Sequence, residues 1–294
     1  RWGASITGAP IIAANMDGVG TFSMHHALKS FGVFTAITKH HTWGDWMAQD
    51  DVSHAFITIG MNEDELEKAL NIISYFKSRM TFTPKIVIDV ANGYMNAFYD
   101  FITKVRFNVP DAFIMAGTVV TPEAVQRVIE SGADLARVGI GTGAVCTTRR
   151  VAGVGYPQFS ALMECVPAAE EVGGGVQSDG GCVFPGDFSK ALCAGAQMVM
   201  AGSIFAGHDE SEQEISNGKV TFYGMSSHAA QKKHNQTKNY RASEGRIVEI
   251  PYKGLVSHTI SEILGGIRST CAYIGAENVS EMSEKAQFIQ VNNI

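Results

Sequence analysis

Short apolar runs rich in β-branched residues and alanine recur along the chain, and stretches with helical spacing mostly fill the gaps between them. Eight runs stand out: residues 10–16 (PIIAANM), 34–38 (FTAIT), 55–60 (AFITIG), 85–91 (KIVIDVA), 112–117 (AFIMAG), 135–139 (LARVG), 175–180 (GVQSDG) and 198–202 (MVMAG). The clearest helical stretch is 63–79, where Leu66, Ala69, Leu70, Ile73 and Phe76 share one face and acids fill the first turn. Thr121-Pro122-Glu123-Ala124 reads as an N-cap followed by proline at the first helical position. Strands that are apolar almost throughout, alternating with helices, predict a parallel sheet covered on both faces. Eight such units close most simply as an α/β fold of the (β/α)8 TIM-barrel type, with residues 1–294 forming one domain. The alternative is a doubly wound open sheet. Against it, no strand–Gly-x-Gly-x-x-Gly–helix unit with a later acidic residue stands near the start.

In such a barrel the chemistry sits at the C-terminal ends of the strands. Those ends carry Asn15-Met16-Asp17, Lys39-His40-His41, Asp89-Val90-Ala91-Asn92, Gly117-Thr118, Gly139-Ile140-Gly141, Ser178-Asp179-Gly180-Gly181 and Gly202-Ser203. The glycine-rich turns after strands 7 and 8 stand where barrels hold phosphate through backbone amides. Beyond strand 8, residues 206–254 are polar and delay the last helix. A loop of that length inside a compact fold is expected to be functional.

Composition narrows the function further. The 31 glycines against 8 prolines indicate tight turns and close backbone approach, not disorder. A net charge of −6 argues against a general nucleic-acid binder and a basic membrane-surface protein, while leaving room for a local phosphate nest. No apolar run is long enough to span a bilayer, and no signal-peptide pattern opens the sequence. The 5 cysteines, odd in number and without a Cys-x-x-Cys spacing, favour a reduced, cytoplasmic setting. The sequence opens on Arg1, so a short preceding segment is expected.

One cysteine has a setting that suits chemistry. Gly139-Ile140-Gly141-Thr142-Gly143-Ala144-Val145-Cys146-Thr147-Thr148-Arg149 follows strand 6, and its alternating glycines let the backbone fold into a tight loop. Cys146 ends that loop beside hydroxyls and an arginine, as a thiolate nucleophile would. Cys165 and Cys193 fall in helix-like stretches and read as core. The cysteine loop, Ser178-Asp179-Gly180-Gly181, Pro185-Gly186-Asp187 and Ala206-Gly207-His208 together resemble the inosine monophosphate dehydrogenase and guanosine monophosphate reductase superfamily. The resemblance runs from residues 10–17 to residues 263–271, nearly the whole chain. Two features point to its reductase branch. Met225 and Glu244 stand too close in sequence for the dehydrogenase flap insertion, and residues 37–63 leave no room for an inserted regulatory domain. Gly224-Met225-Ser226-Ser227 and Tyr240-Arg241-Ala242-Ser243-Glu244-Gly245 are similar to the reductase pattern.

That resemblance implies reductive deamination of GMP by NADPH, giving IMP, ammonia and NADP, through a thioimidate on Cys146. It assigns proton handling to Thr148 and Glu244. For the nucleotide it implies Asp179 at the ribose and Gly180, Gly181, Gly202 and Ser203 at the phosphate. Gly224, Met225, Ser226, Arg241, Ala242, Ser243 and Gly245 would then surround the purine. For the cofactor it implies Lys39, Asp89, Val90, Ala91, Ile140 and Gly141. Tyr240, Arg241, Ser269, Thr270 and Cys271 would form a distal part, shared with a neighbouring subunit of a homotetramer. Carbonyls of Gly141, Gly143 and Cys146 match the family's monovalent-cation loop, which would hold potassium. The chain departs from the usual pattern at Gly18, Thr118, Thr142, Ala144 and Ser203, with Ser203 able to replace a phosphate hydroxyl absent at Ala144. Lacking a third ligand at useful spacing, the His25-His26 and His40-His41 pairs are expected on a helix surface and in a cofactor loop, not at a metal. The alternatives are an IMP dehydrogenase without its regulatory domain and a weakly active purine-nucleotide-binding regulator.

Overall fold

A computed structural model describes residues 6–234 and 242–291. Its eight predicted strands are all present: β1 Ile11–Ala13, β2 Phe34–Ile37, β3 Ala55–Ile59, β4 Lys85–Asp89, β5 Phe113–Val119, β6 Leu135–Val138, β7 Gly175–Asp179 and β8 Met198–Ala201. They pair in parallel and in chain order, and β1 closes the ring on β8 through Ile12 opposite Met200. This closed ring is the (β/α)8 barrel, and the open-sheet alternative is excluded. Phe34, Phe56 and Phe113 meet edge-to-face, with centroids 5.6 and 6.1 Å apart. Because β3 and β5 are not neighbours, the Phe56–Phe113 contact crosses the barrel near the N-terminal strand ends and fills that end with rings.

The outer layer follows from the helical spacing. It comprises α1 Phe22–Leu28, α2 Trp43–Met47, α3 Glu63–Lys77, α4 Asn96–Asn108 and α5 Pro122–Glu130. Next come α6 Thr148–Val151, α7 Gln158–Glu171 and α8 Pro185–Cys193. In α3 the Asn62 side chain caps the Glu65 N–H at 2.8 Å, and three acids favour the positive end of the helix dipole. Leu66, Ala69, Ile73 and Phe76 are buried as the spacing predicts, and Ile72 joins them. Thr121 occupies the N-cap of α5 without a side-chain cap bond, so Pro122 at the first position sets that start. His25 of α1 corrects the surface assignment: it is fully buried, with Nε2 3.0 Å from the Asp51 carbonyl. Its neighbour His26 faces solvent.

The segment after β8 is more ordered than a polar loop. It contains β9 Ile215–Ser216, β10 Lys219–Tyr223 and β11 Ile247–Pro251, an antiparallel sheet in the order β11-β10-β9, together with α9 His228–Lys233. A two-residue Asn217-Gly218 turn, with φ of 50° and 70°, joins β9 to β10. Val220 and Phe222 are buried while Lys219 and Thr221 are exposed, so one face of β10 packs on the barrel. The chain then forms α10 Val256–Ile274 and α11 Met282–Lys285. Among the described residues no helix is long and apolar enough to cross a membrane.

Candidate active site

Three segments converge above the strand ends: the loop after β6, the turn after β10 and the stretch entering β11. Cys146 and Gly245 form an isolated antiparallel bridge. The Thr147 N–H donates to the Glu244 carbonyl at 2.8 Å, and the Arg246 N–H donates to the Val145 carbonyl at 2.9 Å. The Arg246 guanidinium adds a bond to the Ala144 carbonyl at 2.6 Å. A Cβ on Gly245 would stand 2.9 Å from the Ser227 nitrogen, so the close approach of these segments requires glycine there.

That clip aligns three side chains. The Cys146 sulfur lies 3.2 Å from Thr148 Oγ1, and Thr148 Oγ1 donates to Glu244 Oε2 at 2.8 Å. A hydroxyl that donates to a carboxylate keeps its lone pairs free to accept, so the order thiol, hydroxyl, carboxylate is a continuous proton path. A hydroxyl alone is too weak an acid or base at neutral pH, and a carboxylate so placed can supply the basicity.

Beside the thiol is a cavity of about 440 Å³, within the range of small-ligand sites. Cys146, Thr148 and Glu244 line it together with Asp179, Gly180, Gly181, Gly202, Ser203, Gly224, Met225 and Ser226. Asp89, Val90, Ala91, Ile140, Gly141 and Gly143 line it as well. Gly180 and Gly181 both adopt left-handed φ, 79° and 81°, in the turn after β7. Thr142 donates to the Asp179 carbonyl at 2.7 Å, so this departure from the family pattern ties the cysteine loop to β7. Met225 accepts the Asp17 N–H on its sulfur at 3.3 Å, and the Asp17 carboxylate in turn receives Tyr223 Oη at 2.8 Å and His234 Nε2 at 2.9 Å. Burial pushes the Asp17 carboxyl up, but these bonds and Lys233 outweigh it and hold the group below its ordinary range.

Other expected residues stand outside the cavity wall. Lys39 pairs with Glu65 at 3.2 Å. Gly245 packs behind Gly224 of the wall, Ser243 Oγ stands 3.3 Å from the Gly245 carbonyl, and Ala242 is exposed. Ser269, Thr270 and Cys271 lie on α10, where Thr270 donates to Ser189 of α8 at 2.8 Å. Tyr240 and Arg241 lie outside the described residues. His40 stacks on His234 with ring centroids 3.4 Å apart. Among the described residues no group of three or more His, Cys, Asp or Glu could hold a metal ion.

Among the further residues that line this cavity are Arg137, which the sequence does not single out, and Asn15, singled out only as a strand end. Arg137 of β6 is buried and pairs with Asp89 at 2.5 Å and with Asp179 at 3.0 Å. Asn15 donates to the second Asp89 oxygen at 2.9 Å. Burial disfavours the Arg137 charge, but the two carboxylates outweigh it and hold the guanidinium protonated. Burial pushes the Asp179 carboxyl up against the pull of Arg137, and the nearby Asp89 charge pushes the same way.

Fold and site together define a (β/α)8-barrel enzyme whose nucleotide-sized pocket sets a thiol against a hydroxyl–carboxylate pair. The chain belongs to the IMP dehydrogenase/GMP reductase family, whose model, described as the IMP dehydrogenase / GMP reductase domain, matches residues 6–294. It is similar to a GMP reductase of Caenorhabditis elegans, 48% identical over 98% of this chain and 82% of that protein. It is also similar to GMP reductase 2 of Homo sapiens, 48% identical over 97% of this chain and 84% of that protein. A GMP reductase of Escherichia coli O81 (strain ED1a) is 46% identical over 98% of this chain and 85% of that protein.

Proposed function

We propose that this chain catalyses the NADPH-dependent reductive deamination of GMP to IMP and ammonia. The observation that carries the reading is the Cys146–Thr148–Glu244 path at the wall of the cavity, 3.2 and 2.8 Å per link. The relatives named above are called GMP reductases, and the same reaction suits this donor set.

Carbon 2 of the purine must lose an amine and gain a hydride, and covalent catalysis divides that work. The Cys146 thiolate adds to carbon 2, its proton having passed through Thr148 toward Glu244. The same pair returns a proton to the departing amine, the carbon–nitrogen bond breaks, and a thioimidate on Cys146 remains. When bound, NADPH supplies the hydride that carbon 2 accepts. The carbon–sulfur bond then breaks and Cys146 leaves as thiolate.

Binding uses the rest of the wall. One Asp179 oxygen faces Arg137, and the other has no partner among the described residues, so it is open to ribose hydroxyls. Gly180, Gly181, Gly202 and Ser203 meet the phosphate, and Met225 with Ser226 flanks the purine together with Ala242, Ser243 and Gly245. For the cofactor, the carboxylate of Asp89 beside apolar Val90, Ala91 and Ile140 fits a flat ring carrying polar substituents, and these residues with Gly141 and Lys39 would hold it. Ser269, Thr270 and Cys271 on α10 would serve the distal cofactor site of a neighbouring subunit in a homotetramer. The carbonyls of Gly141, Gly143 and Cys146 are hard oxygen donors of the kind potassium prefers. The Gly143 carbonyl already accepts the Cys146 N–H at 3.0 Å and keeps a second lone pair for a cation. Residues 1–294 act as one catalytic domain on this reading. The described cysteines are free thiols, which suits the cytoplasm.

The test follows absorbance at the reduced-cofactor band, with GMP and NADPH and then with IMP and NAD. Consumption of NADPH with GMP is the expected result. Turnover only with IMP and NAD would make the protein a dehydrogenase, and turnover with neither would make it a binder.

A further inference from the structure

Arg137 is unusual as the charged residue of an otherwise apolar strand, β6. Three strands stand in one register here, with Asp89 of β4 opposite Gly117 of β5 and Gly117 opposite Arg137 of β6. A Cβ on Gly117 would lie 2.6 Å from the Arg137 Cβ, so the missing side chain is what lets Arg137 reach past β5 to Asp89. One Nη group meets Asp89 at 2.5 Å and the other meets Asp179 at 3.0 Å. The arginine Nε is buried with no hydrogen-bond partner among the described residues. The guanidinium is therefore held by its two carboxylates and by Asn15 at 3.4 Å, so one cation serves both Asp89 and Asp179.

We infer that Arg137 is a positioning residue that couples the nucleotide and cofactor halves of the pocket, by sharing one guanidinium between the ribose-side carboxylate Asp179 and the cofactor-side carboxylate Asp89. This rests on the reading under Proposed function. Ribose hydroxyls donating to Asp179 satisfy part of its charge and weaken its hold on Arg137. The guanidinium then settles on Asp89 and fixes that carboxylate in one orientation. Cofactor binding meets a preorganised acceptor, so each ligand tightens the other by the same factor, as linkage requires.

The experiment uses GMP with NADP, a pair that cannot turn over. Calorimetric titration measures NADP affinity with and without saturating GMP, for the unsubstituted protein, Arg137→Lys and Asp89→Asn. In the unsubstituted protein GMP is expected to tighten NADP binding by about fivefold or more. A lysine offers a point charge and cannot hold both carboxylates, so in Arg137→Lys the factor falls to within about twofold of unity. Asp89→Asn gives the same loss while leaving the Arg137–Asp179 pair in place, and it carries the test alone if Arg137→Lys does not fold. A merely structural role would weaken NADP affinity with and without GMP alike and leave the GMP-dependent factor unchanged. No coupling in the unsubstituted protein, or full coupling in either folded variant, overturns the inference. Failure of the unsubstituted protein to bind GMP at all overturns the functional reading itself, and the inference with it.

Discussion

Replacing Glu244 by glutamine keeps the size and planarity of the side chain but removes the basic oxygen that accepts the Thr148 hydroxyl at 2.8 Å. The backbone links of Glu244, from the Thr147 N–H and to the Ser226 carbonyl, do not depend on the carboxylate and should keep the segment in place. The hydroxyl then has no strong base behind it, and the proton that must reach the departing amine loses its donor. General acid–base assistance of this kind is worth ~10²–10⁴ in rate, so kcat should fall by about that factor. GMP affinity should change little, because Asp179 and the glycine turns after β7 and β8 lie on other segments. Hydride acceptance by a thioimidate formed beforehand needs no proton from this pair and should proceed at its usual rate. Single-turnover kinetics with GMP and NADPH, following ammonia and cofactor separately, resolve the two steps. Ammonia release at the unsubstituted rate in Glu244→Gln would refute the proton-path argument.

The same contacts set three further expectations. Cys146→Ala should abolish turnover and leave GMP affinity within about tenfold, ~1.4 kcal/mol, by equilibrium titration; NADPH consumption at a tenth of the normal rate would rule out covalent catalysis. Thr142→Val removes the bond to the Asp179 carbonyl and should lower stability by about 1 kcal/mol in chemical denaturation; an unchanged midpoint and slope would show that the bond contributes nothing net. Burial holds His25 down to about 4, so below the unfolded value of 6.5 the unfolded chain takes up a proton that the folded chain refuses. Its stability contribution is therefore present near neutrality and is lost as pH falls from about 6.5 to 4, at most about 3 kcal/mol. Denaturation curves across that window should be flatter for His25→Gln, and an equal slope in both proteins would locate the acid sensitivity elsewhere.

The barrel was legible because each strand is buried on both faces, which leaves an apolar run that periodicity detects directly. Cys146, Thr148 and Glu244, which the structure brings into contact, were singled out through the glycine spacing and the family motifs around Cys146 and Glu244. The sheet β9–β11 was not read, although its signals are present. Asn217-Gly218 is a hairpin turn, and residues 219–223 alternate between exposed and buried. They were obscured because β10 pairs mainly with β11, more than twenty positions away, and because polar residues dominate between them. Arg137 escaped for a different reason: a single arginine in residues 135–139 looks like an edge position until cross-barrel geometry puts two carboxylates against it. His25 escaped similarly, since its burial depends on an acceptor carbonyl, that of Asp51, on another segment.

The bridge between Cys146 and Gly245 also bears on how the protein is born. Thr148 and Glu244 are 96 residues apart in sequence, and the second arrives only after all eight barrel strands have been synthesised. On the ribosome the thiol of a nascent barrel would have its hydroxyl neighbour but no carboxylate behind it until Arg246 emerged from the exit tunnel and clipped the loop. A chain released early, just after Ala201, would contain every strand of the ring yet lack the proton path. A product truncated before Glu244 would lack the carboxylate that receives the Thr148 hydroxyl, even with every barrel strand present.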